Sequence, residues 1–203
     1  MFDIPVEQTT KNTLVELMGT LDTSDQPNLI RRDAIASLES RGFTNANTGE
    51  GILALAVATH PDIPDRVYKL VHTDTQQDPY LVYASWVYEN KLWEKNPHFP
   101  RIFEIVHSDD SPVALVVMER LTELIWEDQP EWIRDDYYLV KGFLYSDDFS
   151  YQMVNKDHAN RPLTTAAEQL TEYCSDFPYN FDLHKGNVML RNDLLVITDP
   201  LCS

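Results

Sequence analysis

The chain has 203 residues, of which 33 are acidic and 16 basic, for a net charge of −17. That length suits one compact domain or two small lobes, and 43% hydrophobic content with 11% aromatics supplies a core and excludes wholesale disorder. The longest apolar run, Ile52 to Ala58, has 7 residues, far short of the roughly 20 that cross a bilayer.

In chain order, Met1-Phe2-Asp3-Ile4-Pro5 lacks the basic start and apolar stretch of a secretory signal, so a soluble, cytoplasmic protein is expected. Leu14, Leu17, Met18 and Leu21 have the i, i+3, i+4, i+7 spacing of an amphipathic helix. A second helix is predicted from near Asp25 and Pro27, with Leu29, Ile30, Ala34 and Leu38 as its buried stripe and Gly42 as its left-handed stop. Short apolar runs at Ile52–Ala58, Arg66–His72, Arg101–Val106 and Pro112–Glu119 read as strands. The aromatic stretch Pro79–Glu94 between them reads as one helix. Past Leu121, Trp132, Ile133, Leu139, Val140 and Phe143 suit a helix, and Ala166, Leu170, Tyr173 and Cys174 another, opened by Arg161-Pro162. Val188–Arg191, an Asn192-Asp193 turn and Leu194–Thr198 predict a hairpin. The expected organisation is α+β: a helical segment over 1–41, a β-rich lobe over 42–120 and a reduced helical lobe over 121–203. Cys174 and Cys202 can form neither a disulfide framework nor a zinc cluster.

The acidity constrains partners. Nucleic acids and anionic membranes are bound by Lys and Arg, so neither is expected as a ligand. Residues 104–148 hold 12 acids against 3 bases, a net −9 that would steer basic partners toward the segment. A solvated face serving only solubility is the plain alternative, and a DNA mimic the sharper one.

The most informative stretch is Asp182-Leu183-His184-Lys185-Gly186-Asn187, followed past the hairpin by Ile197-Thr198-Asp199-Pro200. Phosphoryl transfer rests on positioning and charge neutralisation. One carboxylate accepts the proton of the attacking hydroxyl, and a second joins an amide oxygen in holding Mg²⁺, which takes hard oxygen ligands. An Asp, an Asn five residues on, and a hairpin returning a second Asp is one known arrangement. Asp182, Asn187 and Asp199 fit it. Alone, the first stretch would pass as a polar loop and Asp199-Pro200 as a turn; the combination points to chemistry.

The upstream half offers candidates for an ATP site. Gly49-Glu50-Gly51-Ile52-Leu53-Ala54 stands where a glycine-rich phosphate cover would, with Ala54 as its third position; a plain turn is the alternative. Lys69 lies mid-strand in Arg66-Val67-Tyr68-Lys69-Leu70-Val71, where a phosphate-binding lysine paired with a helix glutamate is expected. An edge-strand lysine that blocks aggregation is the alternative. Glu89 is the expected partner and Glu94 its competitor. Leu115-Val116-Val117-Met118-Glu119-Arg120-Leu121 ends a strand at the expected lobe junction. There Met118 would back the nucleotide pocket, and the backbone of Glu119 and Leu121 would meet the adenine edge.

Together these motifs resemble the eukaryotic-type kinase fold, and most closely the early serine/threonine protein kinases of T-seven-like bacteriophages. Thr59-His60-Pro61-Asp62-Ile63-Pro64-Asp65-Arg66-Val67-Tyr68-Lys69, Phe181 to Met189 and Ile197-Thr198-Asp199-Pro200 carry the resemblance, from roughly Gly42 onward. It implies a compact two-lobed kinase, with ATP and Mg²⁺ as cofactors, that phosphorylates host proteins in the host cytoplasm. Substrates with basic surfaces, in transcription or RNA processing, are expected, and a homodimer is allowed for. Asn180-Phe181 replaces the His-Arg that precedes the catalytic Asp in cellular kinases, and Pro200 replaces the Phe of Asp-Phe-Gly. Only four residues follow Asp199, so no activation segment is expected. His184 stands where protein kinases use Lys and small-molecule kinases of the aminoglycoside type resemble this chain; Lys185 would supply the missing charge near the γ-phosphate. A small-molecule kinase and an inactive acidic protein that inhibits a host DNA-binding protein are the alternative functions.

Overall fold

Successive side chains along Tyr68–His72 and Val113–Met118 point to opposite faces of one sheet, and the unbroken apolar run Val113–Met118 is buried on both. The computed structural model describes residues 6–21, 27–45, 54–73, 78–107, 112–145 and 161–202. It is a mixed α/β fold whose paired strands are all antiparallel. The chain divides into two compact units, Met1–Ala84 with Ile102–Arg120, and Ser85–Arg101 with Leu121–Ser203.

In the first unit, β1 (Thr44–Asn45), β2 (Ala54–His60), β3 (Ile63–His72), β4 (Ile102–Val106) and β5 (Val113–Glu119) form a sheet in the order β1-β2-β3-β5-β4. Tyr68 faces Val117, Lys69 faces Val116 and Leu70 faces Leu115 across the β3–β5 pair. Tyr68, Leu70, Leu115 and Val117 therefore share one side of the sheet. Helices α1 (Val6–Met18) and α2 (Pro27–Ser40) cover that side through Leu14, Leu17, Met18 and Leu38. Each fully buried leucine there contributes about 1.5–3 kcal/mol, and a change such as Leu17→Ala would cost about 2–5 kcal/mol. The predicted stop of α2 is present. Gly42 takes φ 86°, its N–H reaches Glu39 O and the Phe43 N–H reaches Leu38 O, which is a Schellman closure.

The single helix expected over 79–94 is instead two, α3 (Pro79–Glu89) and α4 (Leu92–Lys95). The Asn90 amide donates to Trp86 O, competing for the helix's own carbonyl, and Lys91 turns left-handed at φ 47°. At its start α3 is capped by Asp78, whose carboxylate accepts the Leu81 N–H at 2.8 Å, with Pro79 in the first turn where no N–H is needed.

The second unit holds α5 (Glu131–Tyr145) against α6 (Arg161–Cys174), the sheet β6 (Thr122–Glu123), β8 (Val188–Arg191) and β9 (Leu194–Ile197), and the pair β7 (Asn180–Phe181) with β10 (Leu201–Cys202). Ile133, Tyr137, Val140, Phe143 and Leu144 are the buried stripe of α5. Trp132, counted with that apolar set from sequence, is half exposed. The β8–β9 hairpin turns at Asn192, which takes φ 55°, a conformation asparagine tolerates. Residues 96–99 are stitched to this hairpin. The Arg191 guanidinium donates to Pro97 O and Phe99 O, and Ile197 N donates to His98 O.

Both cysteines are free thiols, and no helix among the described residues is long and apolar enough to cross a membrane. Burial pushes the Cys174 thiol from 9.0 up to about 12. A folded-state pKa raised above the unfolded one gives stability that is present below the unfolded value and lost as pH rises through the folded one. Thermal unfolding should therefore fall between about pH 9 and 12 in wild type, and Cys174→Ala should flatten that loss. Equal alkaline slopes for the two proteins would refute the assignment.

Candidate active site

The residues from Phe181 to Asp199 form one hydrogen-bonded knot. Two-residue strands such as β7 and β10 hold little by themselves, so the tying falls to loop hydrogen bonds of main chain and side chain together. The Asn187 amide Nδ2 donates to Asp182 O at 2.6 Å and stands 3.4 Å from Asp182 Oδ2. Its main-chain oxygen accepts the N–H groups of Thr198 at 3.0 Å and Asp199 at 3.3 Å. Asp182 N donates to Pro200 O at 2.7 Å, beside the Phe181–Leu201 register of β7 with β10. Asp182, Asn187 and Asp199, predicted from spacing, are thus brought together around one main-chain crossing. The Asp182 side chain remains 46% exposed.

His184 closes the turn that follows. Gly186 N donates to its Nδ1 at 3.0 Å, which leaves the proton of a neutral ring on Nε2, 3.8 Å from Asp182 Oδ2. A Cβ on Gly186 would lie 2.9 Å from His184 Cε1, so the close approach of ring and backbone requires glycine. Lys185 is exposed, with Nζ 4.3 Å from the ring centre of Trp126. Trp126 packs edge-on against Tyr137 and Tyr138.

In the first unit, the pleat puts Lys69 on the sheet side opposite α1 and α2, together with Val67 and Val71. Val116 and Met118 stand across from Lys69 and Val67. The Lys69 ammonium rests 3.2 Å from the ring centre of Tyr80 at the start of α3, and the Tyr80 hydroxyl meets Met118 Sδ at 3.6 Å. Lys69 and Met118 are thereby joined through Tyr80, a residue that sequence reading missed. Its legible signal is its place in the first turn of a helix capped by Asp78. Glu119 ends β5 opposite Arg66, and Leu121 begins the longer segment of the second unit. Glu89 is the exposed last residue of α3, and its charge helps raise the Tyr173 phenol, after burial and Cys174. Ala54 starts β2 in register with Val71. Gly49 and Gly51 lie outside the described residues.

An amide oxygen and a carboxylate, from Asn187 and Asp199, could be offered to a cation. Both are hard oxygen ligands of the kind Mg²⁺ takes, with phosphates and water completing its shell. Among the described residues no group of three or more His, Cys, Asp or Glu could hold a metal ion, so such an ion would depend on oxygens from a bound phosphate compound.

A family model described as bacteriophage T7 protein kinase 0.7 matches residues 33–202, the span that holds every candidate site residue named above. Among curated proteins no match is found.

Cys202 offers a probe of this site that does not depend on activity. Burial raises its thiol pKa, and the negative charge of Asp182 raises it further. Asp182→Asn should therefore speed alkylation of Cys202 at pH 8, while buried Cys174 stays unlabelled in the folded protein. An unchanged labelling rate would show that the carboxylate does not act on this thiol.

Proposed function

The chain belongs to the bacteriophage T7 protein kinase 0.7 family, and from that membership we propose an ATP-dependent kinase that phosphorylates serine or threonine hydroxyls of host proteins during infection. The observation that carries the reading is the joining of Asp182, Asn187 and Asp199 at one crossing. In this reading the fold is a two-lobed, kinase-like one with a reduced helical lobe.

Asp182 orients the attacking hydroxyl and takes its proton as the bond to phosphorus forms. Its exposure leaves room for a side chain presented by another protein. Lys69 meets the α- and β-phosphates; its charge is held on an apolar sheet face by the Tyr80 ring, a contact worth about 0.5–2 kcal/mol. Met118 backs the adenine site, with Glu119 and Leu121 at the adenine edge. Gly49, Gly51 and Ala54 form the phosphate cover. Asn187 and Asp199 hold Mg²⁺, which when bound neutralises phosphate charge. Lys185 adds positive charge near the γ-phosphate. The net charge of −17 favours substrates with basic surfaces, such as transcription or RNA-processing proteins.

His184, 3.8 Å from the Asp182 carboxylate, is the observation that favours a second reading, transfer to a small cationic molecule. Purified protein incubated with γ-labelled ATP, Mg²⁺ and bacterial lysate should label protein bands. Asp199→Ala should abolish the label, and Asp182→Ala should lower the rate by about 10²–10⁴-fold without loss of folding. Label appearing only on an added aminoglycoside would establish the second reading. No label and no nucleotide binding would leave an acidic kinase-like binder, to be tested by its competition with DNA for host proteins.

A further inference from the structure

Every backbone polar group from Phe181 O to Leu183 O has a partner, and three of those hydrogen bonds come from two tyrosines of α5. Tyr145 Oη donates to Phe181 O at 2.8 Å and accepts the Leu183 N–H at 2.8 Å. Tyr137 Oη donates to Leu183 O at 3.3 Å. The remaining groups belong to Asp182, whose N–H meets Pro200 O and whose carbonyl meets Asn187 Nδ2. One phenol therefore grips the chain immediately before and immediately after Asp182, and a second holds the next carbonyl.

The environment makes this arrangement informative. Tyr137 is buried but Tyr145 is 50% exposed. A half-exposed phenol ordinarily spends its hydroxyl on water, yet here both its proton and a lone pair are committed to backbone 36 and 38 residues away. The two tyrosines lie at i and i+8 on α5, one stripe of neighbouring turns, with Lys141 between them. Its Nζ is 5.9 Å and 6.0 Å from the two ring centres. The register of β7 with β10 ends at the Phe181–Leu201 pair, and the Asp182 N–H to Pro200 O carries it one bond further.

We propose that Tyr145, with Tyr137 as second anchor, is a positioning residue that holds Asp182 in its catalytic geometry. The proposal rests on the kinase reading given above. A base must stay within a fraction of an ångström of its working place, and a displacement of 1 Å can cost about 100-fold in rate. Neither phenol touches the reacting atoms; both act through the main chain.

The test compares wild type, Tyr145→Phe, Tyr137→Phe and the control Tyr138→Phe, whose ring is exposed. Transfer of label to a lysate substrate is followed together with amide exchange at Leu183. Tyr145→Phe keeps the ring beside Phe181 and loses only the hydroxyl. Its kcat should fall by about 10- to 100-fold with KM for ATP unchanged, and Leu183 exchange should quicken by roughly tenfold. Tyr137→Phe should show a smaller change of the same kind and serves if Tyr145→Phe does not fold, while Tyr138→Phe should match wild type. Faster exchange with unchanged kcat would overturn the proposal, because the grip would then be structural only. Unchanged exchange would overturn it by denying the grip, and parallel losses of kcat and ATP affinity would overturn it as general disruption. A wild-type protein that transfers no phosphate would instead defeat the kinase reading and the catalytic role with it, while Leu183 exchange would still report whether the phenol grips the loop.

Discussion

The main-chain crossing in the second unit depends on Asn187. Its side-chain amide is committed to the carbonyl of Asp182, and its own carbonyl accepts two N–H groups from the strand end that carries Asp199. Two carboxylates 17 residues apart in sequence are thereby indexed to one residue. Main-chain hydrogen bonds, each worth about 0.5–1.5 kcal/mol, hold such a crossing only when several act together. The loop supplies several: Asp182 N to Pro200 O, Asn187 N to His184 O, and the pair at Thr198 and Asp199.

A different constraint governs the first unit. Strand periodicity of two allows no freedom once Tyr68 and Leu70 are buried beneath α1 and α2, so Lys69 must emerge on the other face. That face carries Val71, Val116 and Met118, an apolar setting in which an ammonium needs a partner. The Tyr80 ring is one such partner, and the tyrosine is itself held by Met118 and by the cap of α3. The register of β3 with β5 thus determines both a piece of the core and the placement of a charge.

Much of this was legible in the sequence because short-range chemistry dictated it. The Asn192-Asp193 turn, the Gly42 stop and the Pro79 start each depend on a few adjacent residues, and each is found where the pattern predicts. The break between α3 and α4 was not legible. Asn90 and Lys91 interrupt a run of apolar spacing that otherwise continues to Trp93, through a side-chain-to-carbonyl bond and a left-handed turn at Lys91. Tyr80, Tyr137 and Tyr145 were missed for a related reason. An aromatic at helical spacing reads as core, and nothing local reveals that a phenol will find a carbonyl or N–H 36 to 46 residues away.

The position before Asp182 makes the tyrosines consequential. Asn180-Phe181 offers no charged side chain there, so the loop must be steadied from elsewhere, and α5 provides the steadying from its C-terminal end. Helix ends fray, since their last carbonyls lack intrahelical partners, and Tyr145 is the final residue of α5. A positioning group at a fraying end would be a poor choice if it acted alone. Here the bonding is mutual: the two hydrogen bonds of Tyr145 fix the loop and also anchor the helix end. Val140, Phe143 and Leu144, buried in the preceding turn, resist the unwinding that would release them. The geometry of Asp182 is therefore coupled to the packing of α5, and a cavity at Phe143 should loosen the loop without touching it.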